Sequence, residues 1–123
     1  MGLDNYFRFQ CAPGEQAPAV TIATPPKLCG GLFSGASDGS SFRGKAYSEF
    51  VFEVTGRSLY EDFTPSSEVL RMAEDMGEWV VSNPDKPYGD PESGWEIPHD
   101  EIVDLVRVFR IYGVNGFDLL SWY

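Results

Sequence analysis

The chain of 123 residues reads as an α+β protein in which two or three helices pack on a small, mainly antiparallel sheet. Three observations predict this. A segment of period-two alternation opens the chain, two segments with apolar residues at helical spacing fill its second half, and a loosely alternating segment closes it, so one sheet is expected to join both chain ends. The length suits one globular domain over residues 1–123, and no internal repeat or convincing boundary divides it.

In "NYFRFQC", Phe7, Phe9 and Cys11 alternate with Tyr6, Arg8 and Gln10, which predicts a half-buried strand over residues 4–10. Residues 12–31 hold four prolines and three glycines, leaving "AVTIA" as a possible short strand among turns. "SGASDGSSFRG", residues 34–44, has little bulk and reads as a mobile loop. From Gly44 to Thr55 the composition suits a strand, but Tyr47, Phe50, Val51 and Val54 fall at i, i+3, i+4 and i+7. The spacing favours a helix, with Gly56 as its left-handed cap. Ser58 followed by Glu61 fits a capping box and suggests one more short turn.

Thr64 is a good N-cap and Pro65 suits a first helical position, so Val69, Leu70, Ala73, Met76 and Val80 define one face of a helix over about 65–81. Gly77 is its weak point, at about 1 kcal/mol relative to alanine. Pro84, Pro87 and Pro91, with Gly89 and Gly94, forbid continuation and leave a loop to about 97. Pro98 then opens a helix with Ile102, Leu105, Val106, Phe109 and Tyr112 as its stripe, ending before Gly113. Asp100 and Glu101 lead it while Arg107 and Arg110 trail, as the helix dipole prefers. "GFDLLSWY" reads as a final strand or a docked extended tail.

No basic segment followed by an apolar run marks a secretory signal, and no stretch approaches the length of a membrane span. Gly2 lacks the Ser or Thr at position 6 of a myristoylation motif, since Tyr6 stands there. The expectation is a cytoplasmic protein without membrane contact, in which Cys11 and Cys29 are free thiols.

Four patterns invite chemical readings. "GSSFRGKA", residues 39–46, matches a phosphate-binding loop except that Ala46 replaces the magnesium-binding hydroxyl. No buried strand precedes it, so it is read as coincidence and no cofactor is expected. "HDE" at 99–101 contains the H-x-E of zinc deaminases, yet no P-C-x-x-C follows and Val103 occupies the place of a zincin's second histidine, so no metal is expected. Cys29 beside two glycines lacks any sequence feature that brings His99 to it as a base. "NPDKPYGDPESGWE" offers carboxylates without the ligand order of an EF-hand.

Charge is the most informative feature. Residues 61–104 carry thirteen acids against Arg71 and Lys86, a net charge of −11, whereas the remainder is about +1. Gathered on one face, such carboxylates attract cations and basic partners and repel phosphate, which argues against direct nucleic-acid binding. The primary expectation is a non-catalytic acidic module (adaptor, inhibitor or immunity-type) that meets a basic protein partner through Asp85, Tyr88, Asp90, Glu92, Trp95 and Glu96. Two alternatives stand beside it. One is a small carboxylate enzyme using His99, Asp100 and Glu101; the other is a structural or self-associating subunit, a homo-oligomer built by exposed aromatics.

Overall fold

The computed structural model describes residues 3–9, 14–15, 20, 26–28, 32–34, 40–90, 92 and 95–122. Within them the α+β expectation holds. Three helices accompany an antiparallel sheet of strand order β2-β3-β1-β7-β4, and a separate two-stranded hairpin, β5-β6, links the second helix to the third. The strands are β1 (Asp4–Arg8), β2 (Leu32–Ser34), β3 (Ser40–Phe42), β4 (Phe63–Thr64), β5 (Tyr88–Asp90), β6 (Trp95–Ile97) and β7 (Asp118–Trp122). The helices are α1 (Ser48–Thr55), α2 (Ser66–Ser82) and α3 (His99–Val114).

β1 is central and, as expected, pairs with the strand at the other end of the chain, with Phe7 opposite Leu119 and Asn5 opposite Ser121. Residues opposite one another in an antiparallel pair point to the same face. Phe7, Leu119 and, on β4, Thr64 therefore share the buried face, while Tyr6, Leu120 and Phe63 line the other. On the buried face Phe7 stacks on Tyr112 of α3 with ring centroids 4.4 Å apart and meets Phe109 edge-on at 5.5 Å. Such offset and edge contacts add to the burial of the rings themselves. α2 contributes Val69, Met72, Ala73 and Met76 to the same core, and α1 adds Phe50 and Val51.

Several local expectations are revised. β1 stops at Arg8 instead of residue 10. Residues 19–23, Val20 excepted, and both cysteines lie outside the described residues. Of the segment read as a mobile loop, Ser34 ends β2 and Ser40–Phe42 form β3, which pairs with β2 and with β1, so the sheet supplies partners that local composition does not reveal, while residues 35–39 lie outside the described residues. Gly44–Ala46 is a single 3-10 turn ahead of α1, and Gly56 caps α1 in the left-handed region at φ 77° as expected. The Ser58 hydroxyl accepts the Tyr60 amide, and Glu61 turns away to Arg57, so a turn forms without a helix. The proline-rich connection between the long helices folds as the β5-β6 hairpin instead of a loop.

Thr64 is buried in β4 and does not cap α2. The N-cap is Pro65, which has no side chain to offer, and the amide of Ser66 donates instead to Asp118 Oδ1 at 2.9 Å, from β7. A carboxylate at this end also faces the positive pole of the helix dipole. Gly113 does not end α3, which runs on to Val114. A Cβ there would lie 3.0 Å from the Leu70 amide nitrogen, so Gly113 marks the point where α3 presses against α2. Farther along, Gly77 of α2 lies against Val106 and Arg110, so contacts rise along one helix as they fall along the other and the pair is antiparallel.

Two expected outcomes follow. Gly113→Ala forces backbone against backbone and lowers unfolding stability by about 1–3 kcal/mol, whereas Gly77→Ala displaces only the end of Arg110 and raises it by up to about 1 kcal/mol; urea unfolding of both variants checks the contrast. Asp118→Ala removes the cap of α2 at a cost of about 1 kcal/mol, and Asp118→Asn, which keeps an acceptor oxygen, loses less in the same assay.

Candidate functional site

The residues singled out by motif are occupied structurally. Gly44, the second glycine of the phosphate-loop pattern, is buried, and a Cβ built on it would fall 1.7 Å from Asn5 Oδ1. Glycine stands there because Asn5 fills the space, with its Nδ2 donating to the Leu59 carbonyl at 2.9 Å and the Leu120 carbonyl at 3.3 Å. The Lys45 amide donates to the Leu3 carbonyl. His99 starts α3 with Nδ1 3.0 Å from the Lys86 carbonyl, so the proton on that nitrogen donates to it. Asp100 pairs with Lys27 at 3.4 Å, and Glu101 accepts the hydroxyl of buried Tyr47 at 3.0 Å. These three side chains thus face three different partners. Among the described residues no three His, Cys, Asp or Glu side chains converge as a metal site, and no helix is long and apolar enough to cross a membrane.

The acidic segment divides into two populations. One ties the chain together. Arg57 reaches Glu61 at 2.5 Å and Glu68 at 3.8 Å, while Arg71 reaches Glu68 at 2.6 Å, Asp75 at 2.5 Å and the Thr55 carbonyl at 3.3 Å, so a chain of alternating charges runs along the seam of α1 and α2. The Arg71 contact with Thr55 also places a cation at the negative pole of α1. Asp104 accepts the Lys27 amide at 2.6 Å and lies 3.5 Å from Arg107. The Arg71 hydrogen bond holds the Glu68 carboxyl below the ordinary glutamate range, and Glu68 raises Arg71 in turn.

The second population makes no ion pair among the described residues: Asp62, Glu74, Glu78, Asp85 and Glu96. Of the expected binding surface, Asp85, Glu92 and Glu96 are exposed on or beside the β5-β6 hairpin, Asp85 with φ 59° at its entrance. The backbones of Asp90 and Trp95 pair across it, and their side chains lie outside the described set. Tyr88 faces inward. Its ring meets Phe50 at 5.0 Å and Trp79 at 6.0 Å, and its hydroxyl donates to Glu53, so Tyr88 pins the hairpin to α1 and α2.

One surface has no counterpart in the sequence reading. The outer side of the α2-α3 pair, away from the sheet, is an open groove of about 920 Å³. Its apolar residues include Val81, 80% exposed, and Val103, 39% exposed. Glu74 and Glu78 stand on the α2 wall and Arg107 and Arg110 on the α3 wall. The sequence signal was present: these residues occupy the helix flanks outside the buried stripe, but periodicity tells only which face is apolar, not how close two helices come. The fold and these surfaces define a single small α+β domain with an acidic hairpin and an open helix-pair groove. Comparison with known protein families, curated proteins and solved structures finds no match to this chain.

The Glu68 pair has a definite pH sign. A carboxylate lowered by folding stabilises the folded state above its unfolded value, and that contribution disappears as pH falls through the folded value. Glu68→Gln should therefore flatten the loss of stability below the ordinary glutamate value of 4.5, which denaturant melts across the acid range measure; an unchanged acid limb would show that Glu68 is not a participant.

Proposed function

We propose that the protein is a non-catalytic acidic interaction module, the kind of role an adaptor, inhibitor or immunity-type protein plays, and that a basic protein partner meets it at the β5-β6 hairpin. The observation that carries this reading is the division of the acids. Those on the α1-α2 seam and against Lys27 are consumed by internal pairs, whereas Asp85 and Glu96 stand exposed and make no ion pair among the described residues, on or beside a hairpin fixed at its base by Tyr88 and by the contact of His99 with Lys86. Exposed carboxylates on a chain of net charge −10 steer a cationic partner toward them.

The test begins with cross-linking in the native host, using wild type beside a variant carrying Asp85→Lys and Glu96→Lys. A partner retained only by wild type is then followed by stopped flow, where its association rate should fall about tenfold or more from low to high salt. A rate that ignores ionic strength, or a partner held equally by the charge-reversed hairpin, would remove the electrostatic reading.

A further inference from the structure

We propose that Asn115 is a site of spontaneous deamidation, held closed by the folded corner between α3 and β7 and released when that corner opens. The inference stands independently of the hairpin and its partner. The chain has three asparagines, Asn5, Asn83 and Asn115, and only Asn115 is followed by glycine. The reaction is intramolecular, because the backbone nitrogen of the next residue attacks the side-chain carbonyl carbon. After Asn5 that nitrogen is crowded by the side chain of Tyr6, and after Asn83 it belongs to Pro84 and has no proton to lose. Gly116 presents neither obstacle.

Local geometry holds the site closed. Asn115 caps the C-terminus of α3, and Gly116 follows in the left-handed region at φ 82°. The Gly116 amide donates to the Gly113 carbonyl at 3.1 Å and the Phe117 amide to the Tyr112 carbonyl at 2.9 Å, the paired bonds of a Schellman turn. The attacking nitrogen is therefore engaged. With ψ of 5° at Asn115 it also eclipses that residue's own nitrogen, turned away from Cβ and the side-chain carbonyl beyond it. The leaving group is engaged too, since Asn115 Nδ2 donates to the Ile111 carbonyl at 2.7 Å. Attack requires rotation about ψ, which breaks the turn, so the reaction waits on local opening.

In the opened corner the Gly116 nitrogen gives up its proton and bonds to Asn115 Cγ while the Cγ–Nδ2 bond breaks, releasing ammonia and leaving a succinimide ring. Water then opens the ring at either carbonyl, giving aspartate, or isoaspartate with the main chain lengthened by a methylene. No oxidant or reductant takes part. Either product places a carboxylate at the negative pole of α3 and removes the donor to Ile111. The same turn delivers Phe117 to Tyr112, with ring centroids 4.9 Å apart, and Asp118 to the start of α2. Modification thus loosens the corner that had prevented it.

Peptide mapping by mass spectrometry tests the proposal on the full chain, incubated in mildly alkaline buffer with increasing guanidinium chloride. In the unfolded chain Asn115 should convert to a mixture of aspartate and isoaspartate well ahead of Asn5 and Asn83. Asn83 is the sharper control, because its Nδ2 makes the same contact at the end of α2, to the Trp79 carbonyl at 2.9 Å. In native buffer the conversion at Asn115 should be about tenfold slower or more, and it should accelerate as the denaturant approaches the unfolding transition. Asn115→Asp should unfold at a lower denaturant concentration than wild type. An Asn115 that stays intact in the unfolded chain, an Asn83 that converts as fast, a native rate equal to the unfolded one, or an Asn115→Asp variant as stable as wild type would each overturn the proposal.

Discussion

The seating of β1 on α3 is the constraint from which the rest of the architecture follows. Phe7 stacks on Tyr112 and meets Phe109 edge-on, while Phe42 on the neighbouring strand closes on Phe7 and Phe109 from the side. Because β1 is also the middle of the sheet, this aromatic block holds sheet and helix layer in one relation. α3 in turn is the platform for α2, brought close where Gly113 meets Leu70. A sheet covers a helix pair from one side only. The valley on the opposite side stays open, and in this chain it is lined with valines and bordered by charge.

Acidity has two distinct physical uses here. Arg57 and Arg71, few as bases are in this chain, are spent on Glu61, Glu68 and Asp75, and Lys27 is held by Asp100 and Asp104. Half-exposed pairs of this kind contribute little energy one by one, and their value lies in direction: they fix α1 against α2 and fasten the segment before Leu28 to α3. The carboxylates of the acidic segment that make no ion pair among the described residues are fewer than the composition suggests, and they are divided among the hairpin, the outer wall of α2 and Asp62 ahead of β4.

Legibility in the sequence followed the range of the interaction. Elements set by their own periodicity were readable: the stripes of α2 and α3, the alternation of β1 and the left-handed Gly56. Elements set by distant partners were not. Ser40–Phe42 becomes a strand because β1 and β2 flank it, and Thr64 yields its capping role because Asp118 arrives from a position 52 residues away. The same limit governs the surfaces. The hairpin's acids could be named from composition, but the inward turn of Tyr88 depends on Phe50 and Trp79, and the groove exists only once two helices lie side by side.

The pairing of β1 with β7 also has a bearing on how the chain acquires its shape during synthesis. Asn5 hydrogen-bonds across 115 residues to Leu120, so the middle of the sheet lacks one neighbour until β7 has been synthesised. Nascent fragments would display β1 with an unsatisfied edge and Phe7 without its final cover, the type of surface on which chaperones act. Folding should be paced by closure of a very long loop, and a chain lacking β7 would have helices but no settled core.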